Sequence, residues 1–230
     1  MIKIHNDLIQ GSDLWLDCRR GLLTASEMKN IITPAKLKYA ENDKQRSHLY
    51  ELVAQRITGY VEPMYIGDDM LRGMEDEVYA RALYAEKYES VEEVGFITND
   101  KWGFTLGCSP DGLVGELGGI ECKSRRQKYQ IETIVSGEMP IDYLIQVQSC
   151  MLISERPWWD FISYCAGMPM FVKRVYADMI VQDAIVEAAQ IFHGKMDIMI
   201  KEYGEKIIGL YPTERRIEEE ITITSSEGEF

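Results

Sequence analysis

The chain of 230 residues is 46% hydrophobic and 27% charged, a globular composition with enough length for one large domain and its core. No apolar run is long enough to predict a transmembrane helix, and residues 1–6 lack the apolar core of a signal peptide. The formal net charge of −13 argues against a protein that coats DNA non-specifically, although an acidic surface can coexist with a basic channel.

The N-terminal part of the chain is predicted to contain four helices. Ser12 is a candidate N-cap for a short helix that ends at Gly21. The stretch Thr24-Ala25-Ser26-Glu27 matches a capping box and predicts a second helix directly after it. Two longer helices are predicted over residues 47–58 and 69–88, where apolar residues recur with helical spacing.

The rest of the chain alternates predicted strands and helices. Strands are predicted at residues 94–97, 104–108, 113–114, 120–123, 158–165 and 170–176. Helices are predicted at residues 128–135, 143–153 and 181–203. This order predicts an α/β or α+β fold, in which one central mixed β-sheet is flanked by helices. We expect a single domain over residues 1–212, followed by an acidic, disordered tail over residues 213–230.

The clearest chemical pattern lies between residues 109 and 123. Asp111 occupies a Pro-Asp-Gly turn between two predicted strands, and Glu121 and Lys123 follow on the next strand. Because side chains alternate along a strand, Glu121 and Lys123 share a face, and a bent hairpin brings Asp111 beside them. Two carboxylates this close repel each other unless a cation lies between them, and oxygen ligands suit Mg²⁺ or Mn²⁺. The pattern favours metal-assisted hydrolysis of a phosphodiester; the alternative is a surface hairpin with a salt-bridged lysine.

Glu77 is a candidate third carboxylate. It lies in the predicted helix 69–88, close to an apolar stripe that we expect to face the core. The stripe consists of Leu71, Met74, Val78, Ala82 and Leu83. An acid near a buried face is costly unless it is paired or bound to a metal. The alternative is an ion pair with Arg81 on the next helical turn, which the spacing alone favours.

Further polar residues are candidates for contacts with nucleic acid. Arg19 and Ser26 suggest a phosphate site, because arginine forks phosphate well and a helix N-terminus offers free N–H groups. Gln146 and Gln148 lie on a predicted helix and are either contacts to a DNA backbone or ordinary polar positions. The densest basic cluster, Lys123 to Lys128, would bring cations to an approaching phosphate, or else is a solvated charge run.

Taken in order over residues 10–200, these motifs resemble the YqaJ-type viral recombinase nucleases, the lambda-exonuclease-like family of the PD-(D/E)xK superfamily. The matching pieces are Gln10-Gly11 with Trp15, Arg19-Arg20-Gly21, Thr24-Ala25-Ser26-Glu27, Gly73 with Glu77, Cys108-Ser109-Pro110-Asp111-Gly112-Leu113, Gly119-Ile120-Glu121-Cys122-Lys123, Tyr143 with Gln146-Val147-Gln148, and the strand Trp158 to Tyr164. Each piece is short, but the ordered set is specific. One departure is Ser124-Arg125 after the lysine, where the family usually has a proline.

The resemblance implies a two-ion catalytic site and a pocket for a DNA end. Two Mg²⁺ ions, which Mn²⁺ would replace, are expected on Glu77, Asp111, Glu121 and the main-chain carbonyl of Cys122. Lys123 would position and activate the attacking water, with Gln148 beside the active site. The residues expected to bind the terminal 5′-phosphate and DNA are Arg19, Ser26, Ser109 and Gln146.

The resemblance also implies an activity and its partners. Family members digest one strand of double-stranded DNA from a 5′-phosphorylated end and leave 3′ overhangs for phage-type recombination. A homotrimer around the DNA and a single-strand annealing protein are expected as partners, with no membrane. A phage- or prophage-encoded protein in the cytoplasm of a bacterial host is the expected setting.

Two other interpretations stay open. One is a structure-specific or site-specific endonuclease of the same superfamily, and the other is a catalytically inactive protein that binds DNA ends. A Cas4-like nuclease would carry cysteines for an iron–sulfur centre. The five cysteines here are scattered, without a Cys-x-x-Cys pair, and predict reduced thiols instead.

Overall fold

The computed structural model describes residues 1–63, 65 and 67–215, and its α+β architecture confirms the predicted fold class. The helices are α1 (Asp13–Arg19), α2 (Asp43–Thr58), α3 (Asp68–Lys87), α4 (Gln127–Ser136), α5 (Leu144–Ser154) and α6 (Met179–Lys206), with 3-10 turns at Met28–Asn30 and Ile141–Tyr143. The strands are β1 (Ile2–His5), β2 (Leu23–Thr24), β3 (Ile32–Thr33), β4 (Lys38–Tyr39), β5 (Phe96–Asn99), β6 (Leu106–Cys108), β7 (Gly112–Val114), β8 (Gly118–Ser124), β9 (Trp158–Tyr164) and β10 (Phe171–Tyr176).

The strands are divided among three sheets in the described residues, where the sequence predicts one. Two four-stranded sheets have the orders β1-β5-β6-β2 and β10-β9-β8-β7, and β3 and β4 form a two-stranded ribbon. In the second sheet, β7 and β8 form the predicted antiparallel hairpin, and β9 runs parallel to β8. The parallel pairing needs a long crossover, which α4 and α5 supply.

Helix α5 lies at the centre of the main core. It packs against α6 and against strands of both four-stranded sheets. Apart from Gln146 and Gln148, its residues are apolar or small, and such a helix is stable only when it is surrounded. Ile145, Val147 and Ile153 are fully buried, and each contributes about 1.5–3 kcal/mol through its removal from water. The helix therefore fixes both sheets relative to each other.

Gly118 and Gly119 begin strand β8, although a Gly-Gly pair is typical of a turn. A Cβ atom at Gly118 would lie 2.0 Å from the Trp158 side chain, and one at Gly119 would lie 2.4 Å from that of Trp159. The two glycines thus allow β8 and β9 to pair against the bulky indoles. The turn itself uses Gly115, whose φ of 51° lies in the left-handed region that favours glycine.

No α-helix forms at the capping box in the described structure, so this prediction is wrong. Thr24 ends strand β2, which pairs in parallel with β6, and the main-chain N–H of Ala25 donates to Gly107. The Thr24 hydroxyl donates to the Glu27 carboxylate at 2.9 Å instead of capping a helix. Ladder hydrogen bonds to β6 satisfy the backbone here, so the local capping signal is overridden, and a short 3-10 turn follows.

Helix α3 confirms the predicted helix 69–88 but buries a different face. Three residues of the predicted apolar stripe are about half exposed, namely Leu71 (50%), Met74 (51%) and Val78 (55%). The buried residues are Asp76, Ala80 and Tyr84, because this face packs on β8 and β9. Hydrogen bonds explain the polar members: Asp76 accepts from Ser124 at 2.6 Å, and Tyr84 donates to Asp160 at 2.6 Å.

Two further predictions concern the chain's environment and its C-terminal part. Among the described residues, no helix combines the length and apolar character needed to span a membrane. Most of the predicted acidic tail, residues 216–230, lies outside the described residues.

Candidate active site

Asp111, Glu121 and Lys123 come together where β7 ends and β8 continues. Strand β8 pairs with β7 only through Gly118–Ile120. From Glu121 onward, the described strand that pairs with β8 is β9. Lys123 Nζ lies 2.5 Å from Glu121 Oε1, as expected for two residues on one face of a strand. Cys122, between them, points to the opposite face and packs in the smaller of two core clusters.

Glu121 is almost completely buried, yet only one of its carboxylate oxygens is paired. Oε1 accepts from Lys123 and from Gln146 Nε2 at 2.6 Å, whereas Oε2 has no hydrogen-bond partner in the described structure. The exposed fraction of Glu121 is 1%. Because a buried carboxylate oxygen is normally hydrogen-bonded or bound to a cation, Oε2 is a candidate metal ligand.

Asp111 is held against the main chain of β8. Its Oδ2 atom accepts the N–H of Cys122 at 2.5 Å. Burial raises the pKa of Asp111 well above its usual value, Glu121 and Glu77 raise it further, and Lys123 lowers it. Since the N–H and C=O of one strand residue point to the same edge, the Cys122 carbonyl also faces Asp111. That position suits a main-chain metal ligand.

Glu77 is paired with Arg81 and lies close enough to Glu121 for their charges to interact. It forms the ion pair with Arg81, whose Nη1 lies 2.8 Å from Glu77 Oε1. The same Nη1 donates to the main-chain oxygen of Asp111 at 3.2 Å, so Arg81 ties Glu77 to the hairpin turn. Burial raises the pKa of Glu77, Arg81 lowers it, and the charge of Glu121 raises it again. The three acids therefore share one electrostatic environment.

This environment is suited to divalent cations. Burial lowers the pKa of Lys123, but Glu121 and Asp111 outweigh burial and hold that pKa above its usual value, so Lys123 is a cation here. Lys123 and Arg81 together do not balance three carboxylates, and the unpaired Oε2 of Glu121 leaves a ligand position. Side-chain oxygens as donors suit Mg²⁺ or Mn²⁺.

The acids of this centre are held apart by their partners in the fold. Within the described part of the chain, the three side chains whose ligand atoms all lie within 4.8 Å of one another are Glu27, His48 and Glu51. Glu77, Asp111 and Glu121 are more widely spaced, because Arg81, the Cys122 N–H and Lys123 each hold one of them.

Arg19 lies beside the same turn, in a pocket lined by hydroxyl groups. Its Nη1 donates to Ser109 Oγ at 3.2 Å, and its Nη2 donates to Thr24 Oγ1 at 3.4 Å. Ser26 Oγ lies 3.4 Å from Thr24 Oγ1. The structure thus brings Arg19, Ser26 and Ser109 together. Ser109 lies two positions before Asp111 in the chain.

The guanidinium of Arg19 is held in place by an aromatic side chain. It lies over the Trp15 ring at 4.1 Å from the centroid, and Trp15 Nε1 donates to Ser109 Oγ at 3.1 Å. Burial lowers the pKa of Arg19, and the charge of Glu27 raises it. The direct partners described for Arg19 are hydroxyls, so its charge is available to an anion.

The two glutamines of α5 point in different directions, and the expectation for Gln148 needs correction. Gln146 donates to Glu121 at 2.6 Å and so touches the acid centre. Gln148 instead donates to the main-chain oxygen of Tyr176 at 2.9 Å and accepts from the N–H of Asp178 at 2.9 Å. Residues two apart on a helix point about 200° apart, so one of the pair must leave the site. Gln148 joins β10 to α6.

Both the sequence and the fold of this chain match known proteins. A family model described as "YqaJ-like viral recombinase domain" matches residues 14–157. The chain belongs to this family. The matched segment contains Arg19, Glu77, Asp111, Glu121 and Lys123. A search of curated proteins found no match.

Solved structures are similar to this chain in fold, and one enzyme among them is also similar in sequence. An alkaline exonuclease, LHK-Exo, from Laribacter hongkongensis is 32% identical with a TM-score of 0.77, covering 87% of this chain and 100% of its own. The same enzyme in complex with dAMP gives the same values. A phage-related exonuclease from Haemophilus somnus 129PT shares the fold at 15% identity and a TM-score of 0.55, covering 79% of this chain and 96% of its own.

The basic residues between Lys123 and Lys128 of this YqaJ-like domain are less available to a phosphate than the sequence suggests. Arg126 Nη2 lies 3.0 Å from both carboxylate oxygens of Asp69, and Arg125 donates to the Tyr143 hydroxyl at 2.8 Å. Lys128 is exposed. Much of the positive charge is therefore already paired within the fold.

Sequence reasoning missed Thr24 and Trp15 as parts of the arginine pocket. The sequence pattern places Thr24 in a capping box and Trp15 in a motif without a defined role. An arginine four residues after a tryptophan in a short helix is a usable signal, because the two side chains then share a face.

Proposed function

We propose that this chain is a Mg²⁺-dependent 5′-to-3′ exonuclease that acts on double-stranded DNA and leaves 3′ single-stranded overhangs. The observation that carries the proposal is the adjacency of two sites. A hydroxyl-lined pocket around Arg19 reaches Ser109, and Asp111 of the acid centre follows two residues later. A terminal phosphate and a nearby phosphodiester match this arrangement. The exonuclease relatives support the reaction class.

The acid centre would perform the hydrolysis. Divalent ions on Glu77, Asp111, Glu121 and the Cys122 carbonyl would supply a more acidic water and neutralise phosphate charge. Lys123, held as an ammonium beside Glu121, would donate hydrogen bonds that orient the attacking water and the phosphate. Gln146 fixes one carboxylate oxygen of Glu121 and leaves the other for a ligand. Arg81 fixes Glu77 relative to the Asp111 turn.

The arginine pocket would determine where digestion starts. Arg19 can fork the oxygens of a 5′-phosphate, and Ser26 and Ser109 supply hydroxyl donors. Trp15 keeps the guanidinium in one orientation, which lowers the entropy cost of binding. A 5′-hydroxyl end lacks the charge that this pocket recognises and should be digested more slowly.

A linear duplex with one labelled strand and Mg²⁺ tests the proposal. We expect the 5′-phosphorylated strand to shorten from its 5′ end, with a slower rate on a 5′-hydroxyl end. Arg19→Lys should reduce that difference while preserving turnover, because lysine keeps the charge but loses the fork. Equal rates on both ends would remove the assigned role of Arg19.

Closed circular duplex DNA distinguishes the two open alternatives. An exonuclease leaves it intact, whereas an endonuclease of the same superfamily cuts it. Binding to DNA ends without Mg²⁺-stimulated loss of duplex would identify an inactive end-binding protein. The homotrimer and the single-strand annealing partner remain proposals from the family resemblance, to be tested by light scattering and by co-purification.

A further inference from the structure

We propose that His48 and Glu27 bind a second metal ion such as Zn²⁺, with His48 oriented by Glu51, at a site separate from the three-carboxylate centre. We call these residues the Glu27–His48–Glu51 cluster. Their potential ligand atoms lie within 4.8 Å of one another, so the three side chains meet at one place in the fold. The proposal stands independently of the nuclease activity.

The cluster joins two parts of the fold. His48 and Glu51 lie one turn apart on α2, and Glu27 immediately precedes the 3-10 turn Met28–Asn30. His48 Nε2 is 3.8 Å from Glu27 Oε2, and His48 Nδ1 is 3.1 Å from Glu51 Oε2. An acid therefore faces each nitrogen of the ring.

His48 is buried and incompletely paired. The residue is 4% exposed, and its ring is stacked on Phe192 with the centroids 5.7 Å apart, which restricts its orientation. Nε2 has no hydrogen-bond partner in the described structure, because 3.8 Å to Glu27 is too long for a hydrogen bond. A buried ring nitrogen aimed at a carboxylate across such a gap is the geometry of a ligand pair.

The hydrogen bond to Glu51 determines which nitrogen is the ligand. If Nδ1–H donates to Glu51, the lone pair of the neutral ring lies on Nε2 and points towards Glu27. A carboxylate that orients a metal-binding histidine in this way is a recurrent arrangement in metal sites. The side chains of Glu27 and Glu51 are 31% and 55% exposed, so water can complete the coordination.

The donor set predicts which ion binds. One imidazole nitrogen with the carboxylate of Glu27 and water suits Zn²⁺, and also Co²⁺ or Mn²⁺, whereas Mg²⁺ prefers oxygen donors throughout. The acid centre offers oxygens alone, so the two sites differ in the ion that they select. The competing explanation is a buried histidine that serves only to join two carboxylates within the fold and binds no ion.

Occupancy of the cluster would act on the arginine pocket, an effect that rests on the proposed function. Glu27 accepts the Thr24 hydroxyl at 2.9 Å, and Thr24 accepts Arg19 Nη2 at 3.4 Å. A cation on Glu27 would offset its negative charge next to the pocket. We therefore expect stronger discrimination in favour of 5′-phosphate ends when the cluster is occupied.

Titration with Zn²⁺ in the presence of excess Mg²⁺, without DNA, tests the site. Isothermal titration calorimetry of the full chain should give one Zn²⁺ per chain, and Co²⁺ should give visible absorption bands. His48→Gln and Glu27→Gln should each weaken Zn²⁺ binding by about 10-fold or more. His5→Gln, a histidine outside the cluster, is the matched control and should leave binding unchanged.

The outcomes separate the site from the nuclease proposal. Absence of Zn²⁺ binding, or binding that survives both cluster substitutions, overturns the metal site. Circular dichroism and thermal melting of each variant ensure that folded protein is compared, and Glu27→Gln, at a partly exposed position, is the milder change. If Zn²⁺ binds but the preference for 5′-phosphate ends is unchanged, the coupling to the arginine pocket is overturned and the metal site stands. The Zn²⁺ titration does not depend on nuclease activity, so an inactive protein would contradict the proposed function and not the metal site.

Discussion

Two buried acids on neighbouring strands, Glu121 on β8 and Asp160 on β9, have opposite surroundings. Asp160 uses both oxygens: Oδ2 accepts from Tyr84 at 2.6 Å and from Arg174 at 2.8 Å, and Oδ1 accepts from Arg174 at 2.9 Å. Glu121 uses one oxygen and leaves the other buried and unpaired in the described structure. Both acids are nearly inaccessible, so burial alone does not distinguish their roles.

The two sets of partners distinguish an acid that stabilises the fold from one that we propose to act in catalysis. Arg174 also stacks over Trp158 at 3.6 Å, so the Asp160 network is complete within the fold and holds β9, β10 and α3 together. The Glu121 site combines an unpaired oxygen, two further carboxylates and a lysine. An incomplete set of partners around a buried charge is costly for stability and is retained where a ligand completes it.

The largest expected effect is on catalysis at the incomplete site. Lys123→Ala should lower the rate of duplex digestion by about 10²–10⁴-fold, because the water loses its orienting ammonium. Melting temperature and binding to DNA ends should stay close to wild type. Measurement of single-turnover digestion with Mg²⁺ checks this, and retained turnover would contradict the role of Lys123.

The next effect concerns the complete network. Asp160→Ala leaves the buried Tyr84 hydroxyl unpaired and removes the main partner of Arg174, so the free energy of unfolding should fall by about 3 kcal/mol. Urea denaturation measures it. Activity per folded molecule should persist, and a variant that is stable but inactive would place Asp160 with the functional acids.

The two glutamines give a smaller, matched test. Gln146→Ala should slow digestion about 10-fold with little change in stability, since Glu121 loses one orienting hydrogen bond, worth about 1.5 kcal/mol. Gln148→Ala should destabilise the junction of β10 and α6 and leave the rate per folded molecule unchanged. Digestion rates and melting curves of the two variants check the assignment. The reverse result would restore the original expectation for Gln148.

The smallest effect is a dependence on pH. The pKa of Asp111 is raised in the folded, metal-free protein, so this carboxyl binds a proton more readily when the chain is folded than when it is unfolded. The contribution of Asp111 to the free energy of unfolding is therefore present at low pH and is lost as the pH rises through the raised pKa. In EDTA at neutral pH, Asp111→Asn should melt about 2–4 °C higher than wild type, equivalent to about 1 kcal/mol for a chain of this size. The gap should close at acidic pH, and thermal melting at several pH values measures it.

Local patterns predicted much of the fold and the acid centre. The alternation that puts Glu121 and Lys123 on one face is a property of any strand, so it survives in the structure. The α3 helix also forms where its sequence indicates. Its apolar stripe, however, is largely exposed, and the buried face carries Asp76 with a partner on β8. A helix pattern shows that two faces differ, but the packing partner selects the buried one.

The sequence by itself determined the strands of the hairpin, the spacing of its acid and lysine, and the positions of most helices, because backbone geometry and side-chain period act over a few residues. The tertiary structure decided that Thr24 extends a strand, that Gln146 and not Gln148 touches Glu121, and that Arg81 links Glu77 to the Asp111 turn. These contacts depend on which distant segments are neighbours, and hydrogen bonds to those neighbours outweigh local preferences.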